Sequence, residues 1–349
     1  MIAIICFTEK GKVLADNVAK KLRTTGHKCS VTSAKQGSSK NCSNTDEWVF
    51  ENFKKDNYLL FIGACGIAVR KIARFVKDKT SDPAVIVMDE CAQFVIPILS
   101  GHLGGANAFA NELAKVTGAK AVITTATDVN NLFSVDSFAK KNSMKISDMT
   151  LSKKFSAELL KKRRCNLFFS EKIFDCIKIS DSVPQEINLS PICKNDSEIP
   201  TTIISPFKNE FNSKVLTLLP KCLVLGIGLR KGKSKKELTD FILRELESFS
   251  VDVNSIAYVC SIDLKKDENA LVSFCKDFSL PLKVFSAQEL ISAKGNFSAS
   301  SFVKEVTGVD NVCERSIIAS GGKKIIVQKI KSNGMTLALG CFEIPIHFD

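Results

Sequence analysis

The side chains best suited to chemistry stand in short glycine- or threonine-bearing stretches between residues 61 and 128. His102 lies within Ser100-Gly101-His102-Leu103-Gly104-Gly105-Ala106-Asn107. Imidazole exchanges protons near neutral pH, so His102 is the first candidate for proton transfer. The competing reading is that it hydrogen-bonds its own loop backbone. Asp89 and Glu90 follow an apolar run and are alternatives, as the base or as the group that orients His102. Successive strand side chains alternate faces, so one of the two is expected to face a site. Gly101, Gly104 and Gly105 would let backbone approach a ligand closely. Ser100 and Asn107 could donate to carboxylates or to an oxyanion, and Ser100 equally suits a helix cap. Thr124, Thr125, Thr127 and Asp128 end another apolar run, as an anion cradle or as a cap for a helix near Leu132. Gly66 belongs to the turn Gly63-Ala64-Cys65-Gly66, and Arg70 follows it, to pair with a ligand carboxylate or with Asp89.

The elements that must position these residues can be read from periodicity. Apolar runs at 58–62, 84–88, 94–98 and 121–124 predict strands. Val69, Ile72, Ala73 and Val76 predict one inward helix face, and Ala106, Phe109, Ala110 and Leu113 another. Trp48, on a helix expected near 45–53, reads as packing rather than ligand stacking. Strands alternating with helices imply a mostly parallel sheet covered on both sides, with ligands outside the carboxyl ends of the strands. Strand, glycine turn and helix start also aim free N–H groups at an anion. Pro97 limits the third strand to an edge or an early end. The fold class expected is α/β: two α/β domains with mostly parallel sheets joined by a small central linking domain. The boundaries are 1–144, 145–218 and 219–349.

The outer segments carry further signals. The first strand is expected near 2–7 and a polar surface loop at 35–46. The middle segment is rich in lysine, serine and asparagine, with prolines at 184, 191, 200 and 206. Its Lys161-Lys162-Arg163-Arg164 reads as a solvated helix end, where cations suit the dipole. In the last segment a strand at 222–225 runs into Gly226-Ile227-Gly228-Leu229-Arg230-Lys231-Gly232, read as a turn. Ser234 with Glu237 predicts a capping box, Ser286 with Glu289 another cap, and Asn333-Gly334 a tight hairpin.

Composition bounds the function class. The 349 residues are 45% apolar and 25% charged, with a formal net charge of +12. No apolar run of about 18 residues predicts a transmembrane helix. The amino-terminal apolar run lacks the marks of a signal peptide, so a cytoplasmic protein is expected. Thirteen cysteines without a C-x-x-C pair suggest buried free thiols rather than disulfides or zinc. The positive charge reads either as a solvated lysine-rich surface without functional meaning or as a field that draws in an anionic ligand. With one Trp, two Tyr and no recognisable module, nucleic acid is disfavoured, and a polycarboxylate would satisfy the charge.

DPAVIVMDE, VIPILSGHLGGANAFANELA and AVITTATD, preceded by GACGIAVRKIA, resemble the cobalt-precorrin-5A hydrolase family of anaerobic cobalamin synthesis. The resemblance returns near the carboxyl end, where GIGLRKG, Lys265 with Glu268, and Val312-Cys313-Glu314 fit the family's second domain. Leu229 departs from a cysteine common there, and Lys231 from an arginine, which loses a two-pronged fork. The resemblance implies hydrolysis of cobalt-precorrin-5A to cobalt-precorrin-5B, by lactone opening and carbon–carbon cleavage, with release of acetaldehyde. It implies a tetrapyrrole whose cobalt belongs to the substrate, hence no cofactor and no metal held by the protein. Gly226, Gly228, Arg230, Lys231, Lys265, Glu268 and Glu314 would then form a second binding wall, with the ligand held between the two α/β domains. No membrane or nucleic-acid partner is implied; a homodimer or transient contact with neighbouring pathway enzymes stays open. The competing readings are a non-catalytic corrinoid carrier and a nucleotide-binding enzyme. Neither glycine motif matches the phosphate-loop or dinucleotide pattern.

Overall fold

Ile2, Ile4 and Cys6 fill one core and Ala3 and Ile5 another, because successive side chains of a strand point to opposite faces. The same alternation in the neighbouring strands builds a sheet with a core on each side. The computed structural model describes residues 1–34, 44–190, 198–208 and 214–348. The chain divides into two compact units, Met1–Ser137 and Phe138–Asp349. Positions 35–43 of the expected polar loop, and Pro191, lie outside the described residues.

The first unit contains β1 (Ile2–Cys6), α1 (Glu9–Thr24), β2 (Cys29–Ser33), α2 (Thr45–Asn52), β3 (Tyr58–Ile62), α3 (Cys65–Ile72), β4 (Ala84–Met88) and β5 (Phe94–Leu99). It continues with α4 (Ala106–Thr117), the two-residue β6 (Lys120–Ala121), α5 (Ala126–Val129) and the start of α6 (Val135–Lys141). The strand order is β2-β1-β3-β4-β5-β6. Helices α1 and α4 close one face through Ala15, Val18, Leu22, Phe109 and Leu113. Helices α2 and α3 close the other through Trp48, Val49, Ala68 and Ile72. Trp48 is 4% exposed and meets Phe61 edge to face, as packing requires.

The structure departs from the sequence expectation in three places. First, β5 runs antiparallel to β4, while β2, β1, β3 and β4 are mutually parallel. The turn Asp89–Phe94 is a hairpin, not a crossover, and it sends the chain back to the opposite edge of the sheet. Second, the strand expected at 121–124 ends at Ala121. The Val122 N–H still reaches the Val95 carbonyl at 2.8 Å. The next rung would need an N–H from Pro97, which has none. Third, α3 stops at Ile72 and the chain turns at Phe75, so the inward pair is Ala68 and Ile72. Val69 and Val76 are exposed.

The second unit begins with β7 (Lys145–Ile146), α7 (Met149–Lys162), β8 (Cys165–Phe169), β9 (Ile177–Ile179), β10 (Ile187–Ser190), β11 (Thr201–Ile204) and β12 (Leu216–Leu219). These supply a sheet of order β10-β8-β11-β12-β7, parallel except for β7. Then follow β13 (Leu223–Leu229), α8 (Lys235–Ser248), β14 (Ile256–Ile262), α9 (Asn269–Asp277), β15 (Leu282–Phe285), α10 (Ala287–Ser292) and α11 (Ser301–Thr307). The unit ends with α12 (Cys313–Ala319), β16 (Lys324–Ser332), β17 (Met335–Cys341) and β18 (Ile344–Ile346). The third sheet is ordered β15-β14-β13-β17-β16, and β18 pairs with β9. Both capping boxes form, at Ser234 with Glu237 and at Ser286 with Glu289. Asn333 and Gly334, both at positive φ, make the two-residue β16–β17 hairpin.

Gly226 and Gly228 are not in a turn but inside β13. A Cβ on Gly226 would lie 1.9 Å from the Cys313 carbonyl oxygen, and one on Gly228 2.5 Å from Thr336 Oγ1. Gly226 therefore lets α12 lie directly against the strand backbone, and Gly228 makes room for the Thr336 side chain of β17. The described cysteines are free thiols. Burial pushes Cys165 and Cys260 up to about 12, where they stay protonated and unreactive.

Candidate functional site

The reversal of β5 decides which motif residues meet. Strands β1, β3 and β4 end together, so Thr8, Gly63, Gly66, Arg70, Asp89 and Glu90 lie at one edge of the sheet. Strand β5 ends at the other edge, beside the start of β4, where Ser100 Oγ donates to the Asp82 carbonyl at 3.0 Å. The segment after β6 runs the same way as β5. Five-residue strands separate the two edges by about 15 Å.

At the second edge the loop 100–105 is built by its own backbone. The Gly105 N–H donates to the His102 carbonyl, Ala106 to Ser100 and Asn107 to Gly101. Ser100, at φ 56°, makes no cap, and Gly105, at φ 87°, precedes α4 without a side-chain cap. A Cβ at Gly104 would sit 2.3 Å from Ser100 Cβ, and one at Gly101 2.7 Å from Asn107 Oδ1. Here the glycines permit the loop to close on itself.

That closed loop delivers His102 and Asn107 to the Thr125–Asp128 stretch. Asn107, 6% exposed, donates from Nδ2 to Thr125 Oγ1 at 2.9 Å and to Asp128 Oδ2 at 3.1 Å. His102 Nε2 lies 3.1 Å from Thr127 Oγ1 and 3.4 Å from Asp128 Oδ2. His102 Nδ1 lies 2.8 Å from Ser137 Oγ at the start of α6. Lys79 Nζ holds the adjacent Asp136 at 2.9 Å, which fixes the segment bearing Ser137. The arrangement gives the imidazole a hydroxyl and a carboxylate at one nitrogen and a second hydroxyl at the other. Such a group can move a proton between two oxygens. Thr127 and Asp128 lie in the single turn α5 rather than at the end of a strand, and Thr124 is exposed beside them. Ser137 was not among the sequence candidates: it stands 35 residues from His102, and only the fold joins them.

Asp89, Glu90 and Arg70 do not join this cluster. Asp89 accepts from the N–H groups of Cys91, Gln93 and Phe94 at 2.8, 2.9 and 2.6 Å, closing the β4–β5 hairpin. Glu90 accepts from Thr8 Oγ1 at 2.6 Å. Arg70 is exposed and, among the described residues, donates to the Gly66 carbonyl at 3.4 Å rather than to Asp89. The carboxylate beside His102 is Asp128.

In the second unit, β13 and β14 are parallel, so the residues after them share an edge. Glu268 accepts from the Gly232 N–H at 3.2 Å and from Lys265 Nζ at 3.0 Å. Burial acts to raise the Glu268 pKa, but the Lys265 hydrogen bond, the Gly232 N–H and the charges of Lys265 and Lys231 outweigh it and hold the carboxyl low. Arg230 and Lys231 are exposed on the same loop. Glu314 differs: it is 2% exposed, and its carboxylate accepts from Ser298 N and Oγ at 3.0 and 3.1 Å, from Lys329 N at 2.8 Å and from Asn311 Nδ2. It ties the 293–300 loop to β16 and has no face toward a ligand. Among the described residues no three His, Cys, Asp or Glu side chains are grouped to hold a metal ion.

Residues 47–128 match the family described as Cobalamin synthesis G N-terminal, and residues 223–340 the one described as Cobalamin synthesis G C-terminus. The chain is 33% identical to the cobalt-precorrin-5A hydrolase of Salmonella typhimurium over 350 residues, 97% of each chain. The chain belongs to the cobalt-precorrin-5A hydrolase family. A second family member, from Priestia megaterium, is 30% identical across 83% of this chain and 79% of its own. The crystal structure of a cobalamin biosynthesis protein G homologue from Sulfolobus solfataricus is 24% identical, covers 98% of this chain and 97% of its own, and gives a TM-score of 0.41. The family's amino-terminal match ends at Asp128, so it includes His102, Asn107, Thr125 and Thr127 but not Ser137. Among the described residues no helix is long and apolar enough to cross a membrane.

Proposed function

We propose that this protein hydrolyses cobalt-precorrin-5A to cobalt-precorrin-5B in cobalamin biosynthesis, opening the lactone and cutting the adjacent carbon–carbon bond with release of acetaldehyde. Family membership along the whole chain supports the reaction. The observation that carries the site is the meeting of two separate motif loops on His102, with Asp128 held beside it by Asn107. His102 transfers the proton that ester opening requires. The cobalt travels with the substrate, and the conjugated ring takes the electrons left by carbon–carbon cleavage.

The formal charge of +12 suits a ring bearing several carboxylates. Arg230, Lys231 and Lys265 supply cations at one sheet edge of the second unit, Lys265 already braced by Glu268. The test is incubation with cobalt-precorrin-5A and measurement of acetaldehyde through a coupled alcohol dehydrogenase. Stoichiometric acetaldehyde is expected, with a loss of about 100-fold or more in His102→Ala. A tightly bound corrinoid without acetaldehyde would instead make the protein a carrier.

A further inference from the structure

We propose that Ser137, His102 and Asp128 form a nucleophile, base and carboxylate relay, in which Ser137 takes up the acyl group of the substrate before water releases it. The proposal rests on the ester hydrolysis proposed above and names its nucleophile. Three observations carry it. The ring of His102 has Ser137 Oγ 2.8 Å from Nδ1, and on Nε2 it has Thr127 Oγ1 at 3.1 Å with Asp128 Oδ2 behind it at 3.4 Å. An ionised carboxylate only accepts and the Thr127 hydroxyl can accept as well, so a ring proton on Nε2 serves both. Nδ1 is then the lone pair that receives the Ser137 O–H.

The relay is also held from outside. Asn107 holds Asp128, and the Lys79–Asp136 pair holds the start of α6, which carries Ser137. The Ser137 N–H donates to Ser134 Oγ at 3.3 Å. Finally, two hydroxyls touch the ring but only one is reachable. Thr127 is 6% exposed, whereas Ser137 is half-buried. A nucleophile must meet the substrate, and a base oriented by a third group is what activates it.

The steps balance without an oxidant or reductant. Ser137 Oγ bonds to the lactone carbonyl carbon and its proton passes to His102 Nδ1. The ring C–O bond breaks, and the departing oxygen takes that proton to become an alcohol. An ester on Ser137 remains. Water then adds to its carbonyl carbon, giving a proton to Nδ1, and Ser137 Oγ leaves with it. One ester and one water become one acid and one alcohol.

The full-length protein treated with a fluorophosphonate tests the nucleophile without the natural substrate, since Oγ–P bond formation expels fluoride and a proton. A single adduct mapped to Ser137 is expected, formed about 100-fold or more slowly in His102→Ala. Absence of that adduct in the folded protein overturns the proposal. With cobalt-precorrin-5A, Ser137→Ala is expected to lose about 1,000-fold or more in turnover while KM changes little. Turnover within threefold of the parent also overturns the proposal. Should Ser137→Ala fail to fold, Ser137→Cys replaces it. Its new thiol is expected to be alkylated by iodoacetamide more slowly once His102 is also removed, and equal rates count against the relay. An adduct on Ser137 in a protein that leaves cobalt-precorrin-5A untouched upholds the nucleophile and sinks the assigned substrate.

Discussion

Asn107 Nδ2 lies 3.1 Å from Asp128 Oδ2, a hydrogen bond between the glycine loop and the threonine motif across 21 residues of chain. The amide is buried and donates to Thr125 as well. Asn107→Asp replaces the donor by a second carboxylate facing Asp128. Because the Asp128 side chain is 37% exposed, losing this part-buried hydrogen bond costs about 0.5–1.5 kcal/mol. Denaturant unfolding should show a loss of that order, and acetaldehyde release should fall at least about tenfold as Asp128 leaves its place beside His102.

Two glycines that look alike in the sequence should respond oppositely to alanine. At Gly104 the new Cβ would lie 2.3 Å from Ser100 Cβ and 2.6 Å from its carbonyl oxygen, so the loop must open. Overpacking of this kind costs about 1–3 kcal/mol. At Gly66, inside α3, the nearest atom is the flexible Arg70 Nη1 at 3.4 Å. Gly66→Ala should be neutral or stabilise by up to about 1 kcal/mol. Thermal melts of the two variants distinguish these outcomes.

Asp89 organises a hairpin rather than the His102 cluster. Asp89→Ala removes the acceptor of three backbone N–H groups and should lower stability by about 1–3 kcal/mol. Turnover per folded molecule should match the parent. A selective loss of turnover at unchanged stability would return Asp89 to the chemistry.

The Lys265–Glu268 pair gives a pH dependence with a definite sign. The side chains are 15% and 14% exposed, and the carboxyl is held below its ordinary value of 4.5. A group depressed in the folded state stabilises above its unfolded pKa, and that stability is lost as pH falls through the folded value. The difference in Tm between the parent and Glu268→Gln should therefore be full at about pH 6 and shrink toward about pH 3. A constant difference would mean that the charge on Glu268 contributes nothing.

Much of this fold could be read from periodicity. The strands at 58–62 and 84–88 appear at those bounds, and Phe109, Ala110 and Leu113 face inward as expected. That SGHLGGAN and TTATD lie at one side of the sheet follows from strands alternating with helices, and β5 and β6 are indeed parallel. The direction of β5 was not legible. An apolar run has no polarity of its own, and a hairpin and a crossover can both begin at Met88-Asp89-Glu90. Assuming a parallel strand put Asp89, Glu90 and Arg70 beside His102, and one reversal separates them. Gly226 misled for a related reason: a glycine that admits a packed helix looks in sequence like a glycine that turns the chain. Glu314 enters through the resemblance of Val312-Cys313-Glu314, but burial, which is not legible in sequence, gives it to Ser298, Asn311 and Lys329.

The β4–β5 hairpin also offers an experimental handle. Its tip carries Cys91, an exposed thiol at the pole of the first unit remote from His102. A fluorophore or spin label attached there would ride on the rigid sheet, sense motions of the unit during turnover, and leave the opposite pole unobstructed.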